Sequence, residues 1–182
     1  MKNLLVLFLL PALLAATVKT SPAATAKEID TSVEVALGRF YHEVQGAREF
    51  ASQAKGLLVM PRVIKAGFVV GGEYGEGALL VNGKTVDYYN LVAGSYGLQI
   101  GAEAMDIIIA FMTEKALENF RASNGWEAGV DGNIALIDIG GGRRLDTTTL
   151  RDPIVGFVFG VKGLMADLSL KGSKFTRLHK SE

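Results

Sequence analysis

The sequence predicts an α+β fold: N-terminal helices packed on a bent antiparallel β-sheet, with one further helix near residues 114–122. Three observations predict it. An apolar stripe with helical period runs through residues 27–54. After Lys55 the texture changes to short apolar runs bounded by glycine and polar turns, the pattern of strands at hairpin spacing. Twenty-two glycines against 4 prolines favour strands joined by tight turns over a proline-rich linker. Helices first and strands after argue against the alternating order of a parallel βαβ sheet.

Val33, Leu37, Phe40, Tyr41 and Val44 recur at i, i+4, i+7, i+8 and i+11, one face of a helix. Asp30, Thr31 or Ser32 could cap its start, and Gly46 breaks it before a short second helix carrying Phe50. The polar face (Glu34, Arg39, His42, Glu43) is mixed in charge, which suits packing on a core better than lying on a membrane. Strands are expected at 56–60, 66–71, 78–81, 85–92, 97–100, 106–112, 134–139, 154–161 and 164–170. Asn82-Gly83 is a strong hairpin signal, and the glycine-rich stretch 71–77 reads as another hairpin turn. The isoleucines at 107–109 favour a buried strand. Thr113 caps the helix at 114–122, whose Ala116, Leu117 and Phe120 share a face.

The chain divides into residues 1–26 and 27–182. Lys2, the apolar run 4–14 and the small-x-small motif Ala24-Thr25-Ala26 have the layout of a secretory signal peptide, with cleavage expected after Ala26 and Ala16 as the alternative. The apolar run is about eleven residues, short of the roughly 20 that span a bilayer. Without a cysteine after it there is no lipoprotein signal, so the protein is expected in the periplasm or secreted. The 182 residues carry 19 basic and 19 acidic side chains. Loss of Lys2 and Lys19 with the leader takes the basic count from 19 to 17, a net charge of −2. A near-neutral chain has no general attraction to nucleic acid, so an electrostatic partner must meet a local patch.

The chemistry of an enzyme is hard to assemble here. The absence of cysteine removes thiolate nucleophiles, disulfides and cysteine metal sites. Only His42 and His179 could serve a serine triad, and Ser95 in Ala-Gly-Ser-Tyr-Gly lacks the first glycine of a nucleophile elbow, so it reads as a turn residue. The glycine-rich 71–77 lacks the lysine of a phosphate loop and carries Glu73 and Glu76 instead. No catalytic residue, metal site or cofactor is expected.

Three basic groupings remain as candidate binding sites. Lys55, Arg62 and Lys65 surround Pro61, and if 56–60 and 66–71 are paired strands, Arg62 and Lys65 lie on their connection, where they could meet a phosphate headgroup. Arg143 and Arg144 follow three glycines whose backbone N–H groups could cradle an anion. Lys171 and Lys174 open a basic tail that also holds Arg177 and Lys180.

The run AKGLLVMPRVIKAGFVVGGEYGEGALLV (54–81) resembles the opening of the SYLF domain. The resemblance continues through YNLVAGSYGLQIGAEAMDIIIAFMTEKALENF (89–120) and, more weakly, through 160–172, where Lys162 to Gly172 follows a KGLxAxxSLxG pattern. It implies binding without catalysis: phospholipid or phosphoinositide headgroups, or a membrane surface, with actin filaments as the partner of yeast relatives. It carries Lys55, Arg62 and Lys65 as lipid-contacting positions. Export would separate this chain from cytosolic actin and make an envelope protein the alternative partner.

Overall fold

The computed structural model describes residues 24–67, 70–96, 101–138, 151–162 and 169–180. Two helices lead, α1 (Ala26–Glu43) and α2 (Ala47–Gln53), followed by β1 (Gly56–Gly67), β2 (Val70–Val81), β3 (Lys84–Tyr96) and β4 (Gly101–Phe111). Then come α3 (Glu114–Ala122), β5 (Trp126–Glu127), β6 (Ala135–Asp138), β7 (Ile154–Lys162) and β8 (Lys174–Leu178). The eight strands form one curled sheet in the order β5-β8-β3-β2-β1-β4-β7-β6. All neighbours run antiparallel except β6 and β7, so the sheet is mixed and not purely antiparallel as the sequence suggested.

Local chemistry explains the ends of the elements. Thr25 caps α1 reciprocally with Glu28: the Glu28 N–H donates to Thr25 Oγ1 at 3.3 Å and the Thr25 N–H donates to Glu28 Oε2 at 2.8 Å. The cap therefore lies upstream of Asp30, Thr31 and Ser32. These bonds hold the Glu28 carboxyl below the usual carboxylate range. Gly46, at φ 81°, takes the left-handed conformation that separates α1 from α2. Asn82 and Gly83 both have positive φ, 51° and 74°, as the tightest hairpin turn requires between β2 and β3. Thr113 Oγ1 accepts the Ala116 N–H and starts α3 as expected.

Several expected boundaries move. The runs 56–60 and 66–71 are not two paired strands: β1 is continuous from Gly56 to Gly67, and the next strand begins at Val70. Arg62 and Lys65 thus lie inside a strand and not on a connection. The glycine-rich 71–77 is the body of β2, and Ser95 lies in β3. The expected strand 97–100 and most of 164–170 fall outside the described residues, and Ser169 and Leu170 are not in a strand. The basic tail supplies β8, which pairs with β3 from Tyr88↔Leu178 to Val92↔Lys174.

The sheet has apolar side chains on both faces. Leu58, Met60, Val63, Leu79, Leu91, Ile107 and Ile109 turn to the concave side and pack with α3 and with Trp126 and Phe175. Phe120 of α3 centres that cluster, its ring 4.7 Å from Phe111 and 4.8 Å from Tyr89. Val59, Ala78, Ile108 and Phe157 turn to the other side, where Ile29, Val33, Ala36 and Phe40 of α1 meet them. Phe40 and Phe157 stack edge to face at 4.9 Å.

β1 takes extra residues in its middle. Met60 pairs with Ile107 and Val63 with Met105, so Pro61 and Arg62 together oppose Asp106 alone, a β-bulge. The bulge presses on β2, which answers with glycine. A Cβ on Gly77 would collide with the Val59 carbonyl oxygen and stand 2.7 Å from Met60 Sδ, and one on Gly75 would lie 2.7 Å from Val63 Cγ2. The glycines read as a turn are thus the mid-strand residues that admit the bulge. Gly77→Ala is expected to lower stability by about 1–3 kcal/mol in urea denaturation. Gly94→Ala, on β3 with nothing within 4 Å, serves as the tolerant control. Thr25→Ala is expected to cost about 1 kcal/mol in the same assay through loss of the cap.

Candidate functional site

The bulge places one arginine in an unusual state. Arg62 has φ 51°, the left-handed region that a non-glycine residue enters only at a cost of roughly 1–2 kcal/mol. Its backbone N–H donates to Asp106 Oδ1 at 2.9 Å. Asp106 is 2% exposed, and its other oxygen, Oδ2, lies 2.6 Å from Nη2 of Arg39 on α1. That pair is close but not aligned as a hydrogen bond, since Asp106 Oδ2 and Arg39 Nε have no hydrogen-bond partner. On the far side of Asp106, β7 also bulges: Asp106 pairs with Phe159 and Ala104 with Lys162, with Gly160 at φ 65° between them. A Cβ at Gly160 would stand 3.2 Å from Asp106 Oδ2. One buried carboxylate thus sits between two bulges and under α1.

The Arg62 side chain is exposed and, among the described residues, makes no ion pair. It borders a groove of about 510 Å³ between the start of α1 and the β1–β2 ribbon, lined also by Ile29, Ser32, Ile64, Tyr74 and Glu76. Next to the groove runs an apolar ledge. Ile64 (40% exposed), Tyr74 (50%) and Val92 (49%) are direct cross-strand neighbours on β1, β2 and β3. The row continues to exposed Lys174 on β8, the register partner of Val92. Three large apolar side chains therefore stand together in solvent with Arg62 near one end and Lys174 at the other.

Of the acids near the ledge, Glu76 is already engaged, while Glu28 lines the same groove as Arg62 and Glu127 is the cross-strand partner of Lys174. Lys180 Nζ donates to Glu76 Oε2 at 3.0 Å and to the Ala24 carbonyl at 2.8 Å. The Tyr74 hydroxyl donates to Glu76 Oε1 at 2.7 Å. Burial and then this carboxylate push the Tyr74 phenol up to about 12, so it stays neutral at physiological pH. Glu73 pairs with Lys65 at 3.5 Å.

The structure does not gather the sequence-predicted cations into one patch. Lys65 shares β1 with Arg62, but strand alternation after the bulge sends it to the face of Val63, opposite the groove residue Ile64, where it is nearly buried against Glu73. Lys55 lies just ahead of β1, 3.7 Å from Glu114, an exposed pair of small energetic weight. Lys171 is exposed ahead of β8, at a separate cleft of about 280 Å³ lined also by Ile134 and Leu136. Arg143 and Arg144 lie outside the described residues. Of the seven expected positions, Arg62 and Lys174 flank the ledge. Sequence reasoning missed Asp106, Arg39, Ile64, Tyr74 and Val92. An aspartate at the head of an isoleucine run was the available signal for the first. Ile64, Tyr74 and Val92 depend on the register of the consecutive strands β1, β2 and β3, and Arg39 on the packing of α1 over β4. Among the described residues no group of three or more His, Asp or Glu side chains could hold a metal ion. No helix among them is long and apolar enough to cross a membrane.

The chain is 33% identical over 129 residues to SH3 domain-containing YSC84-like protein 1 of Rattus norvegicus, Mus musculus and Homo sapiens. The similarity covers 67% of this chain and 37% of each relative, so the chain spans little more than a third of the proteins it matches. The profile of the Ysc84 family, described as Las17-binding protein actin regulator, matches residues 92–181. That stretch includes Val92 and Lys174 but begins after Lys55, Arg62 and Lys65. From the second half of β3 through β8, then, the chain carries the pattern of the Ysc84 (SYLF) family, and it belongs to that family.

Proposed function

We propose that the protein is a non-enzymatic module that binds anionic phospholipid headgroups at a membrane surface through the face bearing Arg62, Lys174 and the Ile64–Tyr74–Val92 ledge. The observation that carries this reading is Arg62 itself. Its backbone is held in a strained conformation by a buried carboxylate, while its guanidinium, among the described residues, makes no ion pair and stands beside exposed apolar side chains, with Glu28 and Glu76 on the same groove. Strain of this kind concentrates where a side chain must be aimed. A guanidinium suits bidentate contact with a phosphate, and large apolar side chains next to it suit the boundary between headgroups and acyl chains. Glu73 lies on the opposite face, paired with Lys65, and Glu76 is held by Lys180, so this face carries less uncompensated negative charge than the sequence suggested.

The leader-like N-terminal residues favour a periplasmic or secreted location, which makes the lipid a component of the cell envelope; cleavage at the alternative site near Ala16 keeps the Thr25 cap of α1, whereas cleavage after Ala26 would remove it. A second reading rests on the family description, which names a protein partner. On that reading the same ledge docks an envelope or actin-like protein, and binding survives the removal of lipid.

Flotation with vesicles tests the first reading. The protein is expected to float with vesicles rich in anionic lipid, less with neutral ones, and less as salt rises, since each basic residue at such a surface contributes about 1 kcal/mol. Arg62→Glu with Lys174→Glu is expected to weaken binding to anionic vesicles at least tenfold, whereas Lys55→Glu is expected to leave it nearly unchanged. Equal binding by the double variant would overturn the assignment. Arg62→Gly should separate stability from binding: glycine accepts positive φ, so the thermal midpoint is expected to hold or rise while vesicle binding falls.

A further inference from the structure

We infer that Asp106 is a positioning residue of the proposed lipid-contact face, acting through Arg62. The inference rests on the reading of Arg62 given above and adds the group that sets its geometry. Asp106 is buried at 2% exposure, too deep to meet a membrane itself. Its Oδ1 takes the N–H of Arg62, which the bulge removes from the regular ladder between β1 and β4. An arginine leaves the left-handed region unless its surroundings over-determine it. The Asp106 acceptor is the contact that does so on the β4 side, and the glycines at 75 and 77 give the bulge its room on the β2 side. If residue 62 relaxed into ordinary extended backbone, strand alternation would be reset and the guanidinium would no longer face the groove that Ile64 and Tyr74 border.

The carboxylate is held in turn. Arg39 supplies a positive charge at 2.6 Å from Oδ2, and Gly160 leaves space beside the same oxygen on β7. α1, β1, β4 and β7 thus converge on one carboxylate, and Arg62 is the member of that set whose side chain reaches solvent unpaired.

A double-mutant cycle read as affinity for anionic vesicles, on the full chain at a temperature where every variant is folded by circular dichroism, tests this. Arg62→Ala is expected to weaken binding about fivefold, the worth of one basic residue at a charged surface. Asp106→Ala should weaken it by a similar factor in the wild-type background and by almost nothing in the Arg62→Ala background. Asp106→Asn keeps an oxygen for the Arg62 N–H and should retain most of the binding. If Asp106→Ala fails to fold, Arg39→Met with Asp106→Leu removes the buried carboxylate and its half-exposed partner together and enters the cycle in its place. Independent, additive losses from the two sites would overturn the positioning role while leaving the Arg62 reading intact. No effect of Arg62→Ala would remove the reading on which the role rests.

Discussion

Asp106 is a carboxylate held at 2% exposure between two strands that each carry an extra residue at its level. Burying such a charge is unfavourable unless it is paired and hydrogen-bonded. Here Arg39 provides the charge and the Arg62 N–H a hydrogen bond. The arrangement constrains much of the middle of the sheet. β1 must bulge to bring the Arg62 N–H to the carboxylate, β2 must carry Gly75 and Gly77 to make room, and β7 must turn through Gly160. α1 is tied to the sheet by Arg39 as well as by the apolar contacts of Ile29, Val33, Ala36 and Phe40. A charge in that position is expensive, and a well-packed apolar residue could be as stable. What it adds is a fixed geometry at residue 62.

The two faces of the sheet divide the protein's tasks. The concave side is a conventional core, closed by α3 and an aromatic group in which Phe120 touches Tyr89, Phe111, Trp126 and Phe175. The convex side is covered by α1 and α2 along only part of its length. Where α1 begins, the cover stops, and Ile64, Tyr74 and Val92 stand exposed. Scattered apolar residues on a surface need no explanation; the contiguous row beside a groove is what the proposed interaction face rests on. The Glu76–Lys180 pair lies on this side and the Glu73–Lys65 pair on the other, and, among the described residues, Arg62 and Lys174 are unpaired cations flanking the row.

The Ysc84 (SYLF) family profile matches residues 92–181, a span that holds Lys174 but not Arg62. The residues proposed to contact lipid therefore come from both sides of that boundary: Val92 and Lys174 within it, Arg62, Ile64 and Tyr74 before it. The face is a product of strand order. β8, from the end of the chain, pairs with β3 and brings Lys174 beside Val92, while β1 and β2 bring Ile64 and Tyr74 from a hundred or more residues before Lys174.

Periodicity and turn chemistry, which are local, placed the helix pair broken at Gly46, the Asn82-Gly83 hairpin, the buried isoleucine strand and the Thr113-capped helix correctly, because each depends on residues within one or two turns of chain. Glycine misled the reading at 71–77, where a turn was the local expectation and close approach of a neighbouring strand was the actual reason. Charge misled it at 174–178, where a basic segment proved to be a strand. The amino-acid order by itself determined the α+β class and the positions of most elements. Only the tertiary structure decided that Lys65 turns inward to Glu73 while Arg62 turns outward. One extra residue in a strand reverses which face every later side chain occupies, and that bulge is set by a carboxylate 44 residues away in the chain.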